Sequence, residues 1–297
     1  MISVIVVSYN TREMTLDCLR TLDADLAGLE AEMIVVDNAS SDGSVAAIAE
    51  EFPAARLITN RANAGFGAAN NQAMAVARGE FFLLLNSDAF PEAGAIWELL
   101  AFIREYPRAG VVGPRLLNAD GSLQISCYPF PTPFFAWLEN LWLARGYRGW
   151  RHDSVRSVDF VIGACMLVRR EAYEEVGGFD EEFFMYSEEA DWQRRMNGVG
   201  WEAVFMPEAR VKHLGGASGA KEEARINGHF FESLDYYERK HHGVAGLIVF
   251  RLAMAVGCGL RTVLWSVAAL LPSRRSHALA KARKHSRLCL RQAFHWN

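Results

Sequence analysis

The chain has 297 residues, 51% of them apolar, with 31 basic and 35 acidic side chains and a net charge of -4. That is ample apolar chain for a core in one large domain or two smaller ones, and it excludes a disordered or fibrous protein. The charge is split unevenly: every acid falls before residue 244, whereas 244–297 holds nine bases and no acid.

Met1 leads straight into the β-branched run Ile2 to Val7, without the basic region or small-residue cleavage site of a signal peptide. Thr11 to Leu26 follows with Met14, Cys18, Leu19, Leu22 and Leu26 in helical spacing. The alternation recurs as Met33 to Val36 then Ser44 to Glu51, Arg56 to Thr59 then Ala68 to Ala77, and Phe81 to Leu85 then Ala93 to Tyr106. Repeated strand-helix units predict an α/β fold with a mostly parallel, helix-covered sheet. Each strand ends in polar turn formers: Ser8-Tyr9-Asn10, Asp37-Asn38-Ala39-Ser40, Asn60 to Gly67, and Asn86-Ser87-Asp88. In open α/β sheets ligands sit beyond the carboxyl ends of the strands, so these four ends define a candidate site.

From Pro114 to Asp153 the pattern turns irregular and aromatic, with Phe134, Phe135, Trp137, Trp142, Tyr147 and Trp150. A mobile acceptor lid and a plain hydrophobic subcluster both suit it. Order resumes with a strand over Asp159 to Val168, a helix over Arg170 to Val176, a helix through Met196, and a strand pair near Glu202 to Phe205 and Arg210 to His213. Five cysteines, Cys18, Cys127, Cys165, Cys258 and Cys289, are odd in number and never form CxxC, which points to a reducing cytoplasm and away from a disulfide framework or zinc site.

Residues 244–297 read as a separate helical tail after a domain over 1–243. The longest uncharged piece of Val244 to Leu271 is Thr262 to Leu271, well short of the roughly 20 residues that span a bilayer. On a helix, Arg251, Cys258, Arg261, Thr262 and Ser266 share an arc and leave a broad apolar face, as an interfacial helix does. Pro272 is the expected stop, and Arg274, Arg275, Lys281, Arg283, Lys284, Arg287 and Arg291 then suit anionic lipid. The alternative is a helical pair packed on the first domain or on a homodimer partner. Nucleic acid is disfavoured because the rest of the chain is acidic.

Among the strand ends, Asp37 can accept the N3–H of a uracil or thymine ring, or simply cap a turn through Ser40 or Asp42. Gly65 and Gly67 stand just before a helix, where backbone N–H groups can approach phosphate, but neither P-loop nor GxGxxG spacing is present. Asn86-Ser87-Asp88 suits metal or phosphate chemistry, or a turn before Pro91. In SEEADW, Ser187 reads as an N-cap with Glu188 and Glu189 in the first turn.

The ordered set SYN, VVDNASSDGS, NAGFGAANNQA, LLLNSD, GACMLVRREAYEEVGGFDEEFFMYSEEADW and HLGGAS resembles the family 2 glycosyltransferases of GT-A fold, and within them the bacterial rhamnosyltransferase-like members of cell-surface polysaccharide synthesis. It covers roughly Met1 to Gly219. The resemblance implies that Ser8, Tyr9, Asn10, Asp37 and Asn38 hold the nucleoside, and that Asn63, Gly65, Phe66, Gly67 and Asn70 or Asn71 line the nucleotide-sugar. Asn86-Ser87-Asp88 falls at the family's Asp-x-Asp metal signature, with Asn86 departing from it, and His213 matches the histidine that completes the metal site. It also implies Glu189 as the catalytic base, Glu188 as an acceptor-hydroxyl contact and Asp191 as a second candidate. Glu188 and Asp191 share a helix face while Glu189 turns about 100° away.

The expectation is an inverting enzyme that uses Mg2+ or Mn2+ to move rhamnose or a similar sugar from a dTDP- or UDP-linked donor to a glycan or lipid-linked acceptor. It would work at the cytoplasmic face of the membrane. A non-catalytic sugar-nucleotide or glycan binding module and a sugar nucleotidyltransferase are the rivals.

Overall fold

The computed structural model describes residues 1–143, 150, 152–215, 223–271 and 275–294. Gly216, Ala217 and Ser218 of the HLGGAS motif, together with Tyr147, Pro272 and Arg274, lie outside the described residues. Contacts divide the chain into one unit of 1–130 with 150–233, and another of 131–149 with 234–297.

In the first unit the elements run β1 (Ile2–Ser8), α1 (Arg12–Asp25), β2 (Ala31–Asp37), α2 (Ser44–Glu51), β3 (Arg56–Thr59), α3 (Phe66–Met74), β4 (Phe81–Asn86), β5 (Ala89–Pro91), α4 (Ala95–Glu105) and β6 (Ala109–Leu117). Short strands β7 (Leu123–Gln124) and β8 (Cys127–Tyr128) follow, and in the second unit comes α5 (Pro133–Asn140). The chain then returns through β9 (Arg156–Val158), β10 (Phe160–Val161), β11 (Cys165–Arg169), α6 (Arg170–Val176), α7 (Glu188–Gly198) and β12 (Glu202–His213). The main path of the sheet is β3-β2-β1-β4-β11-β6-β12-β5. Its first four strands are parallel, as their continuous apolar sequences require of strands covered on both faces. β11 then enters antiparallel between β4 and β6, and β12 lies parallel to β6.

Three expectations need correction. Ala109–Leu117, to which the sequence pattern assigns no element and whose last four residues fall in the stretch expected to be irregular from Pro114, is a central strand. Its Gly110, Gly113 and Pro114 disguise it, yet it is almost wholly buried. The single strand expected over Asp159 to Val168 is broken into β10 and β11 by Ile162–Ala164. The pair expected after Glu202 is one strand, β12, whose pairing with β6 slips between Met206 and Arg210 around Pro207, which has no N–H to give the ladder. The core beneath the sheet is aliphatic, from Val4, Val6, Leu19, Leu22, Leu83, Leu85, Leu99 and Leu167.

In the second unit, α8 (Glu223–Ala268), whose first turns belong to the first unit, is broken at Gly243 with φ 68° and ψ -173°. α9 (Arg275–Phe294) returns beside it: Cys289 Sγ reaches the Ala255 carbonyl at 3.4 Å and His277 packs edge-on against Trp265. α5 closes the unit, with Ala136 against Phe250 and Ala253. The aromatic stretch is thereby divided, Trp137 packing in this cluster while Trp150 in the first unit lies on His152 and Phe205. All five cysteines are free thiols.

Candidate functional site

Parallel pairing brings the strand ends together. Ser8 is in register with Asp37 on β2, and Val7 with Asn86 on β4, so three polar ends stand on neighbouring strands at one edge of the sheet. Ser8 is buried and shares a hydrogen bond of 2.9 Å with the Thr15 hydroxyl, while its carbonyl accepts from the Asn38 N–H. Asn10, in the left-handed region at φ 53°, receives the Ser41 N–H at 2.8 Å and donates its own N–H to Ser40. Tyr9 between them is half-buried. The β1 and β2 ends are thus stitched into one surface.

Asp37 is only 1% exposed. Its Oδ1 receives the Ser40 N–H at 2.9 Å, as the turn reading expected, but Oδ2 has no partner among the described residues. A buried carboxylate oxygen left unpaired costs about 1–3 kcal/mol or more, so a donor from a ligand is the natural complement. Asn38 is different. Its amide donates to Asn63 Oδ1 and the Gly65 carbonyl and accepts from Asn60 and the Ala64 N–H, so it organises the 60–65 loop.

The glycines of that loop are explained by close packing. Gly65 has φ 88°, and a Cβ there would stand 2.3 Å from the Phe184 carbonyl, which receives the Phe66 N–H. A Cβ at Gly67 would touch Phe179, whose ring meets Phe66 edge-on. Asn70 is buried and bonds back to the Phe66 carbonyl within α3, whereas Asn71 grips the Phe179 backbone at both N–H and C=O. α3 thereby fixes the segment that leads into α7.

Ser87 and Asp88 form the tight turn between β4 and β5, so the turn and the site are the same residues. Ser87 bonds Thr11 at 3.1 Å, Asn86 donates its N–H to the Ala164 carbonyl, and Asp88 Oδ1 faces His213 Nε2 at 3.3 Å. β5 pairing with β12 sets His213 opposite Ala89, beside that turn. Two ligands of one Mg2+-sized ion at its usual bond lengths lie about 3 Å apart, so the pair fits a hard divalent cation. No third His, Cys, Asp or Glu joins them among the described residues.

Glu189 reaches the same edge from α7 and accepts the Gly163 N–H, next to Ala164. Tyr186 and Ser187, both non-glycine residues in the left-handed region, turn the chain into α7. Ser187 holds the N-cap position, yet its side chain makes no capping bond. Burial raises the Glu189 carboxyl, and burial with the Glu189 charge raises Glu188 well above the usual range. Each has an Oε2 without a partner among the described residues. Burial and the two glutamates also push the Tyr186 phenol up. Asp191 is fully buried and accepts from Arg195 Nε at 3.0 Å, while that guanidinium also bonds the Val176 and Gly178 carbonyls. A carboxylate so paired is a clamp on the 176–178 turn, in contrast to its two neighbours.

Gly163, Phe184 and Gln124 also belong to this edge; Gly163 and Phe184 lie within the GACM to EEADW motif without a role read for them, and Gln124 lies outside every motif. Gln124 Oε1 lies 2.7 Å from His213 Nδ1, reached from an irregular stretch without a motif.

An edge of this kind suits a transferase working on a nucleotide-activated substrate. Residues 3–177 match the family described as "Glycosyl transferase family 2". The chain belongs to the family 2 glycosyltransferases. It is 33% identical over 235 residues to an N-acetylglucosaminyl-diphospho-decaprenol L-rhamnosyltransferase of Mycobacterium tuberculosis, covering 71% of this chain and 76% of that protein. It is 28% identical over 195 residues to the low-salt glycan biosynthesis hexosyltransferase Agl10 of Haloferax volcanii, covering 64% and 60%. In fold it resembles the mannosyltransferase PcManGT from Pyrobaculum calidifontis, solved with GDP-Man and Mn2+, at TM-score 0.61 and 19% identity over 98% of this chain and 84% of the other. It also resembles residues 1–349 of S. aureus TarS, at TM-score 0.56 and 18% identity over 100% and 93%. The GT-A fold expected from the motifs is the fold of this chain.

Proposed function

We propose that this glycosyltransferase is an inverting, divalent-cation-dependent enzyme that moves rhamnose or a similar sugar from a dTDP- or UDP-linked donor to a glycan or lipid-linked acceptor in cell-surface polysaccharide synthesis. The observation that carries it is the meeting, on one sheet edge, of unpaired Asp37 Oδ2, the Asp88–His213 pair and the raised carboxyl of Glu189. The rhamnosyltransferase likeness supports the sugar and the acceptor class.

Asp37 Oδ2 accepts the pyrimidine N3–H and the Asn10–Ser40 stitch holds the nucleoside loop in shape. Asp88 and His213 would hold Mg2+ or Mn2+, which when bound would stabilise the departing diphosphate as a Lewis acid. Glu189 takes the proton from the acceptor hydroxyl as its oxygen forms the new bond to the anomeric carbon. The bond from that carbon to the diphosphate oxygen breaks on the opposite face, so configuration inverts. Burial raises the Glu189 carboxyl above its ordinary value, which strengthens it as a base. Glu188, beside it, contacts the acceptor hydroxyl, and Asp191 keeps α7 in place.

The 244–297 tail is assigned to the inner face of the cell membrane. α8 contains an apolar window long enough to cross a bilayer, with mean hydropathy 1.9. Yet Arg251 is paired with Asp235 and Arg261 with Asn140, while Val244, Leu252, Val256, Val263 and Val267 are exposed. An apolar exterior of this kind, followed by acid-free α9, suits interfacial immersion against anionic lipid.

The test is product analysis with Mn2+, a panel of nucleotide-sugars and a prenyl-diphosphate-linked acceptor. Release of nucleoside diphosphate, lost in Asp88→Ala, is expected. Release of inorganic diphosphate would assign nucleotidyl transfer instead, and failure of the wild-type enzyme with every donor would favour a binding module.

A further inference from the structure

We propose that Gln124 is a positioning residue that fixes the His213 tautomer and presents Nε2 as a bare ligand to the cation; this rests on the Asp88–His213 metal reading. The polarity of the network can be assigned from its fixed carbonyls. The Leu123 carbonyl can only accept, so the Asn118 group 3.3 Å from it is the amide nitrogen, which also meets Ser122 Oγ at 2.9 Å. Ser122 Oγ donates its own proton to Asp120, consistent with that direction. Asn118 therefore turns its carbonyl oxygen to Gln124, whose Nε2 donates to it at 3.0 Å and to the His213 carbonyl at 3.3 Å.

With its nitrogen so committed, Gln124 turns Oε1 to His213 Nδ1 at 2.7 Å. An acceptor there requires the proton to be on Nδ1, so the neutral ring has a lone pair on Nε2, facing Asp88 Oδ1 at 3.3 Å. Two bare acceptors at that spacing repel unless a proton or a metal cation stands between them. Gln124 also holds His213 at both backbone carbonyl and ring, which is the role outer-shell partners play at metal-bound histidines. The 118–122 turn and β7 together make a strut whose function is to aim one imidazole.

Mn2+ affinity is measured by electron paramagnetic resonance of the free ion, with the metal alone and with UDP or dTDP. Gln124→Met, close in size but without the acceptor, is expected to weaken Mn2+ about 10–100-fold, and Gln124→Glu, which keeps it, to stay within about threefold of wild type. Equal affinity in Gln124→Met, or equal loss in both variants, overturns the inference. Metal-free melting curves identify a variant that fails to fold. For that case, the 15N shifts of His213 in the wild-type protein give an independent readout: a proton on Nδ1 is expected, and the Nε2–H tautomer overturns the proposal. If wild type binds no Mn2+, or His213→Ala binds it equally well, the metal reading fails and the inference falls with it.

Discussion

The two units of this chain solve burial in opposite ways. In the first, aliphatic side chains fill the interior and ionisable groups gather at one sheet edge. In the second, Glu238 and Arg251 are buried and Asn140 bonds Arg261, whereas Phe134, Trp142, Leu143 and a long series of valines and leucines on α8 face outward. Soluble monomers rarely expose contiguous apolar patches beyond a few hundred Å2. The first unit turns its long apolar strands inward, whereas the second leaves a series of large apolar side chains on α8 exposed.

The sharpest way to break that division is to disable each unit by its own chemistry. Glu189→Gln removes the proposed base and relieves a buried charge, so kcat should fall about 10²–10⁴-fold with donor affinity and vesicle flotation unchanged. A flotation loss would mean that the units are not independent. Conversely, replacing exposed Leu252, Val256 and Val263 by serine removes three side chains worth about 1.5 kcal/mol or more each on burial, a combined partitioning loss on the order of 10³-fold. Flotation on vesicles containing anionic lipid should be lost while hydrolysis of a soluble donor persists. Retained flotation would assign the apolar face to another occupant, such as a second copy.

The inward charges make the next test. Arg251 Nη2 bonds Asp235 at 2.8 Å with little exposure of either group. Arg251→Ala leaves Asp235 without that partner and should cost about 3–5 kcal/mol, whereas Arg251→Met with Asp235→Leu should come out near neutral. Urea melts separate the two. If the single change is silent, the pair is solvated and the inside-out description fails.

The pH dependence follows from the raised carboxyls. Activity should rise with pH through the raised Glu189 value, because the base must be ionised. For stability the sign is the reverse: Glu188, raised in the folded state, contributes fully below its unfolded value and loses that contribution as pH rises through the folded one. Glu188→Gln removes the buried charge, so it should be more stable than wild type at pH 8 by roughly 1–3 kcal/mol, and equally stable at pH 4. Equal melting at pH 8 would place Glu188 in water.

These contrasts also mark what the sequence made legible. Asp37, Asp88, Glu189 and His213 are recognisable because strand ends and a helix start bear chemistry on local sequence, and β1 to β4 with their helices are periodic. Asn38 and the glycines are less transparent: their motif positions are plain, but their packing against Asn63 and Phe184 depends on residues distant in the chain. β6 was hidden by glycine and proline, and Gln124 lies on a two-residue strand with no pattern at all. The tail shows the limit of periodicity: the polar arc of Arg251, Cys258 and Arg261 was legible, but its direction was not. Arg251 and Cys258 are buried and Arg261 bonds Asn140, so the arc faces inward, where Asp235 on the limb of α8 before Gly243 and Asn140 on α5 await it.

The smallest expected effect lies in the backbone ahead of α7. Tyr186 and Ser187 have φ of 72° and 66°, a conformation costing roughly 1–2 kcal/mol for a residue with a Cβ. Ser187→Gly relieves one such cost but makes the unfolded chain freer by about 0.4–1 kcal/mol. The net gain in stability should be no more than about 1 kcal/mol. Activity should move the other way, because a looser turn lets Glu188 and Glu189 leave the edge that Gly163 helps define. A fall in kcat with unchanged donor KM, beside an unchanged or higher melting temperature, would show that the strained turn serves placement of the acids; equal kcat would make it a consequence of packing around Phe184 alone.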